Sequence, residues 1–389
     1  MSIQVISVES RREKRDFLNF PWKIYQTNPH WIPPLRTNQK QLAGFAKHPF
    51  YETAESQAFL ATDGIKIIGR ILAIHDRAHN QYHNENRGFF GFFECEDHSE
   101  AAKQLFDAAR QWLGEKGATA IRGPVNPSMN YECGLLIDSF DKSPCFMMTY
   151  NQPYYEKLIL ENGYQKAHDL LAFWGHVDML ATLDKKLTFI AEETISRFQV
   201  KIRPIDLKEF RRDIKIFLDV YNRAMPGNWG FVPLSESEIE HTAKELKHLI
   251  APELTSIAEI DGKPIGAQFG LLDYNPRIRK IDGKLFPFGF MRLLANKRKI
   301  KKLRFISTNV VPEYQKWGIG LALLSRLVPE FLEWGMKEAE LSWVLETNKL
   351  SRGTIERAGA ILEKTYRLYD CELEPKPDCQ KQIDAQESH

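Results

Sequence analysis

Near its C-terminal end the chain reads Gln315-Lys-Trp-Gly318-Ile-Gly320. Before it stands the β-branched run Ile306-Ser-Thr-Asn-Val310-Val311-Pro, and after it an apolar-periodic stretch. A strand, a glycine loop and a helix in that order can hold a phosphate with main-chain atoms alone. The first-turn N–H groups of a helix have no partner within the helix, and they sit at the positive end of its dipole. Glycines at 318 and 320 open the backbone to close approach. Two familiar phosphate loops do not fit. A dinucleotide fingerprint needs a third glycine and a later acid, and a P-loop needs Gly-Lys followed by Ser or Thr.

The residues downstream narrow the chemistry. A helix from about Ile319 to Trp334 is expected to stop at Gly335. Ala339-Glu-Leu-Ser-Trp-Val-Leu-Glu346 then reads as a buried strand. Asn348 follows, with Ser351, Ile355 and Gly359 three, seven and eleven residues beyond it. Gln-x-x-Gly-x-Gly with this Asn-to-Gly spacing behind it resembles the acyl-CoA loop of the GNAT N-acetyltransferase superfamily. The resemblance implies an α/β fold with an α+β mixed sheet, and acetyl-CoA or a longer acyl-CoA as co-substrate. Donor binding would fall to Val310, Val311, Gln315, Lys316, Trp317, Gly318, Ile319, Gly320 and Asn348. Ile355 stands where the superfamily usually has a tyrosine that protonates the departing thiolate.

Moving an acyl group from a thioester to an amine also needs a polarised carbonyl and a group that takes a proton. Main-chain N–H near Val311 is the candidate for the first. Glu346, at the end of its strand, is the candidate base, with Tyr366 or Tyr369 as acids. The alternative, favoured by Ile355, is a protein that binds or senses acyl-CoA without turnover.

These residues must be positioned by a fold, and the chain's 389 residues are too many for one ordinary core. An internal repeat supplies the division. Asp63-Gly64 and Asp261-Gly262 each sit between alternating apolar residues, the signature of a tight hairpin. Asn151 to Gly163 mirrors Asn348 to Gly359. The two offsets, 198 and 197, nearly agree. Two tandem GNAT-like domains are therefore expected, at about 1–180 and 190–373, joined near Leu183-Asp-Lys-Lys. A disordered tail is expected from 374 to 389. The first copy lacks the loop. Where it should stand, Gly88 to Glu100 brings Glu94, Glu96, Asp97 and Glu100 to a helix N-terminus, where they would repel pyrophosphate.

Other segments could shape an acceptor site. Asn126 and Asn130 lie in a turn-rich stretch, Arg122 to Gly134, and Trp229 and Phe231 in the loop 224–233. Either pair could touch the acceptor, an amine-bearing small molecule or a lipid-like amine. Equally, both stretches could be connectors held by satisfied polar groups and one buried ring. Leu285 to Arg304 is aromatic first and strongly basic second. It could contact a membrane peripherally, bind the CoA 3′-phosphate, or be a solvated basic cap. His75, His79 and His83 share a spacing that could bind zinc, but their surroundings read as a solvated loop or short helix, and no metal site is expected. Net charge is only +2, so no nucleic-acid partner is expected. Five scattered cysteines and a polar N-terminus point to the cytoplasm, with the inner membrane surface as the place of any peripheral contact.

Overall fold

The computed structural model describes residues 2–182 and 185–373. The tail from 374 to 389, and Leu183 and Asp184 of the expected junction, lie outside the described residues. The chain divides into two compact units. Among the described residues, unit 1 comprises 2–143, 147–169 and 366–373, and unit 2 comprises 144–146, 170–182 and 185–365.

Unit 1 opens with β1 (Ile3–Ser7) and α1 (Arg11–Ile24). Ser10 and Glu13 start this helix with a capping box, each side chain accepting the other's backbone N–H. Next come α2 (Arg36–Leu42), β2 (Ala54–Asp63), β3 (Lys66–Asp76), α3 (Arg77–His83), β4 (Arg87–Cys95), α4 (Ser99–Glu115) and β5 (Ala120–Gly123). The short strands β6 (Val125–Asn126), β7 (Glu132–Cys133) and β8 (Leu135–Leu136) precede α5 (Tyr155–Glu161) and β9 (Gln165–His176). α4 buries Ala102, Leu105, Phe106, Ala109 and Leu113, the one-sided stripe of an amphipathic helix. Phe106 packs on Phe90, Phe93 and Tyr164 at the centre of this unit's core.

The second half runs α6 (Lys185–Arg197), β10 (Lys201–Arg203), α7 (Phe210–Ala224), α8 (Glu236–Leu246), β11 (Thr255–Ile260) and β12 (Lys263–Leu272). It continues with α9 (Asn275–Lys280), α10 (Gly289–Leu294), β13 (Lys302–Val310), α11 (Ile319–Glu333), β14 (Glu338–Leu345), α12 (Lys349–Arg357) and β15 (Ile361–Glu372). Apart from β6–β8 in the first half and α6 and α10 in the second, both halves repeat one order of elements. Both Asp-Gly hairpins form where the repeat places them.

The sheet of unit 1 follows the order β1-β2-β3-β4-β5-β15, and that of unit 2 the order β10-β11-β12-β13-β14-β9. In each, only one of these neighbouring pairs is parallel, β4 with β5 and β13 with β14. Strand pairing corrects the expectation of two contiguous copies. From Tyr366 on, β15 pairs with β8 and β5 and belongs to unit 1. From Leu170 on, β9 pairs with β14 and belongs to unit 2. Within unit 2, a Cβ on Gly266 would meet Ile319 and Leu323 of α11, whereas Phe269 packs on Phe217 of α7. The odd spacing between 266 and 269 puts these helices on opposite faces of the sheet.

Candidate active site

β13 and β14 pair in parallel from Lys302↔Glu338 to Phe305↔Leu341 and then part. Two irregularities accompany the parting. The register of β13 against β12 steps from Ser307↔Phe269 to Phe305↔Gly270, so Ile306 bulges. The register of β14 against β9 steps from Leu341↔Phe173 to Val344↔Leu171, so Ser342 and Trp343 bulge. A bulge bends its strand and raises its twist, and here one lies in each strand at the point of separation. The result is a V-shaped opening with Val310 at one tip and Leu345 at the other.

The helix α11 begins beyond the Val310 tip. Its N-cap is Gly318, at φ +82°, and no side chain caps its first turn. The two loop glycines serve different ends. A Cβ on Gly318 would stand 2.5 Å from Thr194 Oγ1, whose hydroxyl donates to the Trp317 carbonyl at 2.8 Å. Gly318 is thus required by α6 as well as by its φ. A Cβ on Gly320 would meet only Thr308 Cγ2, at 3.8 Å, and so Gly320 leaves the open side. Thr194 was missed from sequence, although Leu187, Ala191 and Thr194 form a buried stripe at helical spacing.

The remaining predicted donor residues divide by role. Lys316 is exposed. Trp317 is partly exposed, tilted against Phe198 at 4.2 Å and edge-on to Tyr314 at 4.8 Å. Ile319 and Val311 are fully buried and face the core. The Val311 N–H donates to the Ile265 carbonyl at 3.0 Å. Of the main-chain N–H groups near Val311 expected to meet a thioester carbonyl, that of Val311 itself is therefore already used. Gln315 folds back and donates to the Val310 carbonyl at 3.2 Å, bracing the loop. Asn348 caps α12, its Oδ1 accepting the Ser351 N–H at 3.1 Å. Glu346 is half-buried just beyond β14.

Four expectations are corrected by packing. Tyr369 is a core residue of unit 1, and its hydroxyl donates to Glu156 at 2.7 Å. Tyr366 is also buried in unit 1, opposite Leu136, so neither tyrosine shares a unit with Glu346. Asn126 is an internal acceptor, its Oδ1 taking the Phe92 N–H at 2.7 Å. Phe231 is fully buried and edge-on to Tyr221 of α7. Asn130, in unit 1, takes a turn contact from its N–H to Ser128 Oγ at 3.3 Å. Trp229 remains half-buried in the loop after α7. Ile355 packs with Leu171, Phe173 and Val344, so an apolar cluster occupies the place where the superfamily tyrosine was expected.

At the base of the V lies a buried polar network that the sequence reading missed. Arg304, Glu340, Ser342 and Lys364 are each at most 2% exposed. Arg304 donates to Ser342 Oγ at 2.9 Å, to the Ser342 carbonyl at 3.2 Å and to the Phe146 carbonyl at 3.0 Å. Ser342 donates to Glu340 at 2.8 Å, and Lys364 stands 3.8 Å from the other Glu340 oxygen. Arg304 therefore ties the bulged part of β14 to β13. The sequence run had placed it in the exposed basic segment, but its register beside Leu303 and opposite Glu340 puts it inside. Nearby, Asp273 accepts the N–H groups of Phe146 and Asn275, and burial raises its carboxyl to about 6. Burial likewise pushes the Cys145 thiol well above its ordinary value. Among the described residues there is no group of three or more metal-ligating side chains.

No protein-family model matches the chain. It is 35% identical over 370 residues to Protein YghO of Escherichia coli K12, spanning 94% of each. It is 33% identical over 379 residues to the bacterial ceramide synthase of Caulobacter vibrioides, spanning 95% of this chain and 97% of that one. The chain belongs to their family. Solved structures agree on the fold. A tandem GNAT protein from the clavulanic acid biosynthesis pathway superposes with a TM-score of 0.56 at 9% identity, over 96% of this chain and all of that one. A GCN5-related N-acetyltransferase from Anabaena variabilis gives 0.53 at 9% identity, over 95% of this chain and 72% of that one. The chain thus has a tandem GNAT-like fold, and among its described residues no helix is long and apolar enough to cross a membrane.

Proposed function

We propose that this protein is an acyl-CoA-dependent N-acyltransferase with one active site, in unit 2, and that its acceptor is a long-chain amine of the kind found in ceramides. The observation that carries the reading is the V between β13 and β14, with an α11 N-terminus that no side chain caps. The 33% identity to a bacterial ceramide synthase over nearly the whole chain supports the lipid-like acceptor. The acyl-CoA diphosphate binds the first-turn amides of α11 beside Gly320, with Lys316 adding charge. The pantetheine arm enters the V, bringing the thioester to the bulge at Ile306. Main-chain N–H groups there polarise the carbonyl, in place of the Val311 amide.

The neutral amine attacks the carbonyl carbon, the C–S bond breaks, and the sulfur leaves as a thiolate with the bonding pair. The attacking nitrogen gives up a proton to Glu346, directly or through water, and the thiolate is protonated by solvent or by that same carboxyl. Arg304 and Glu340 act indirectly, holding the strands apart in the geometry the donor needs. The test is thiol release from acetyl-CoA and from long-chain acyl-CoA, each with a long-chain 2-amino-1,3-diol and with a short alkylamine. Release confined to the long-chain amine supports the reading. Tight acyl-CoA binding without release with any amine would replace it with an acyl-CoA-sensing role.

A further inference from the structure

Between β12 and β13, unit 2 exposes Phe286 (84%), Phe288 (63%), Phe290 (45%) and Met291 (64%) within six residues. Single exposed apolar side chains are ordinary, whereas a run of large ones marks a contact surface. Their backbone is held in place. Arg277 donates to the carbonyls of Leu293, Ala295 and Asn296, and Lys297 donates to the Ile250 carbonyl. Leu293 and Ile278 are buried beneath. Around the apolar tip, residues 275–301 contain nine lysines and arginines and one acid, Asp282. Since the chain's net charge is only +2, everything outside this segment is net negative.

We propose that this segment docks unit 2 onto an anionic phospholipid bilayer. Phe286, Phe288 and Met291 enter the boundary between headgroups and acyl chains, and Lys280, Arg292 and Lys299 lie against the headgroup phosphates. Exposed apolar side chains within a cation-rich segment match both layers of such a surface. A nucleic-acid backbone would engage the cations but leave the apolar tip in water. The segment leaves the sheet at the N-terminal end of β13, and Gly318 and Gly320 follow its C-terminal end. At about 3.3 Å per residue the strand separates these ends by roughly 30 Å. A water-soluble nucleotide at one end and a lipid surface at the other therefore do not compete for space.

The test sediments the full chain with vesicles, without acyl-CoA, so its outcome is independent of the acyl-transfer reading. Phosphatidylcholine with phosphatidylglycerol at about three to one is expected to bind at least about tenfold more protein than phosphatidylcholine alone. The variant Phe286→Ser/Phe288→Ser/Met291→Ser is expected to lose about a hundredfold in binding while melting at the wild-type temperature. Lys280→Ser/Arg292→Ser/Lys299→Ser is expected to bind both vesicles equally weakly. Undiminished sedimentation of the apolar variant overturns the proposal. So does a vesicle-independent dimer of the wild type that the apolar variant abolishes, since the face then belongs to a second copy.

Discussion

In unit 1, β4 and β5 pair from Arg87↔Ala120 to Phe89↔Arg122 before they separate; in unit 2, β13 and β14 do so from Lys302↔Glu338 to Phe305↔Leu341. Both openings sit beside a bulge in the first strand of the pair, at Phe92 and Phe93 in one and at Ile306 in the other. Beyond the bulges the two units differ. After β5 the chain turns across β4, so a Cβ on Gly91 would lie 1.7 Å from the Val125 carbonyl oxygen, and Asn126 accepts the Phe92 N–H. Further along β4, buried Glu94 accepts the hydroxyls of Tyr25 and Tyr155 at 2.7 and 2.8 Å. The helix beyond is capped by His98 Nδ1, with Glu100 in its first turn. Unit 1 thus satisfies with its own atoms the groups that a donor would meet. Two copies of one fold can differ in ligand binding through a short crossing segment and one helix cap, with the sheet left unchanged.

The widest gap between the copies should appear on substituting Gly320→Glu. Its Cβ has room, so the fold survives, and the carboxylate faces the α11 amides. Acyl-CoA affinity measured by calorimetry should fall at least a thousandfold, about 4 kcal/mol. Unchanged affinity would remove the donor site from unit 2. The matching perturbation in unit 1 is Gly91→Ala. Here a methyl group would have to displace the backbone of Val125, and a cost of about 3–4 kcal/mol is expected in urea unfolding, because strand and crossing segment cannot both keep their places. A neutral result would mean that the crossing segment yields easily and does not seal the opening.

How far the sequence reached depends on the range of the interactions involved. The hairpins at Asp63-Gly64 and Asp261-Gly262, the span of α11 and its stop at Gly335 are set by neighbours a few residues away, and they were legible. The order of elements followed from the repeat. What the sequence could not reveal depends on distant pairing. Tyr369 looked available to the second copy until β15 turned out to pair with β5. Gly318 suggested only a ligand, because nothing local announces Thr194 more than a hundred residues earlier. Arg304 looked like one more exposed cation in a basic run until its strand register put it opposite Glu340.

The base of the open V gives a pH-dependent test. Burial holds the Asp273 carboxyl at about 6, above its ordinary 3.8. Between those values the folded chain holds a proton that the unfolded chain releases, so this group makes stability fall as pH rises from about 4 to about 6. The effect is on the order of 3 kcal/mol, fully developed above pH 6 or so. Asp273→Asn keeps an oxygen to accept the Phe146 and Asn275 N–H groups and removes the titration. Melting temperature against pH should therefore drop less over this window in the variant. Parallel curves would show that Asp273 titrates as an ordinary carboxyl.

The smallest effect sharpens the comparison most. Asn126→Ala removes the oxygen that accepts the Phe92 N–H and leaves that donor buried without its partner, for a loss of about 1–3 kcal/mol by urea unfolding. If the crossing segment alone closed unit 1, freeing this amide would begin to restore a donor site there. The helix beyond it argues otherwise. Its first-turn amides are met by His98, and Glu100 opposes any incoming phosphate. Calorimetric titration of Asn126→Ala with acyl-CoA should still give one equivalent per chain at wild-type affinity. A second equivalent would mean that the opening in unit 1 was closed by Asn126 alone, and that the helix caps of α4 and α11 do not distinguish the two copies.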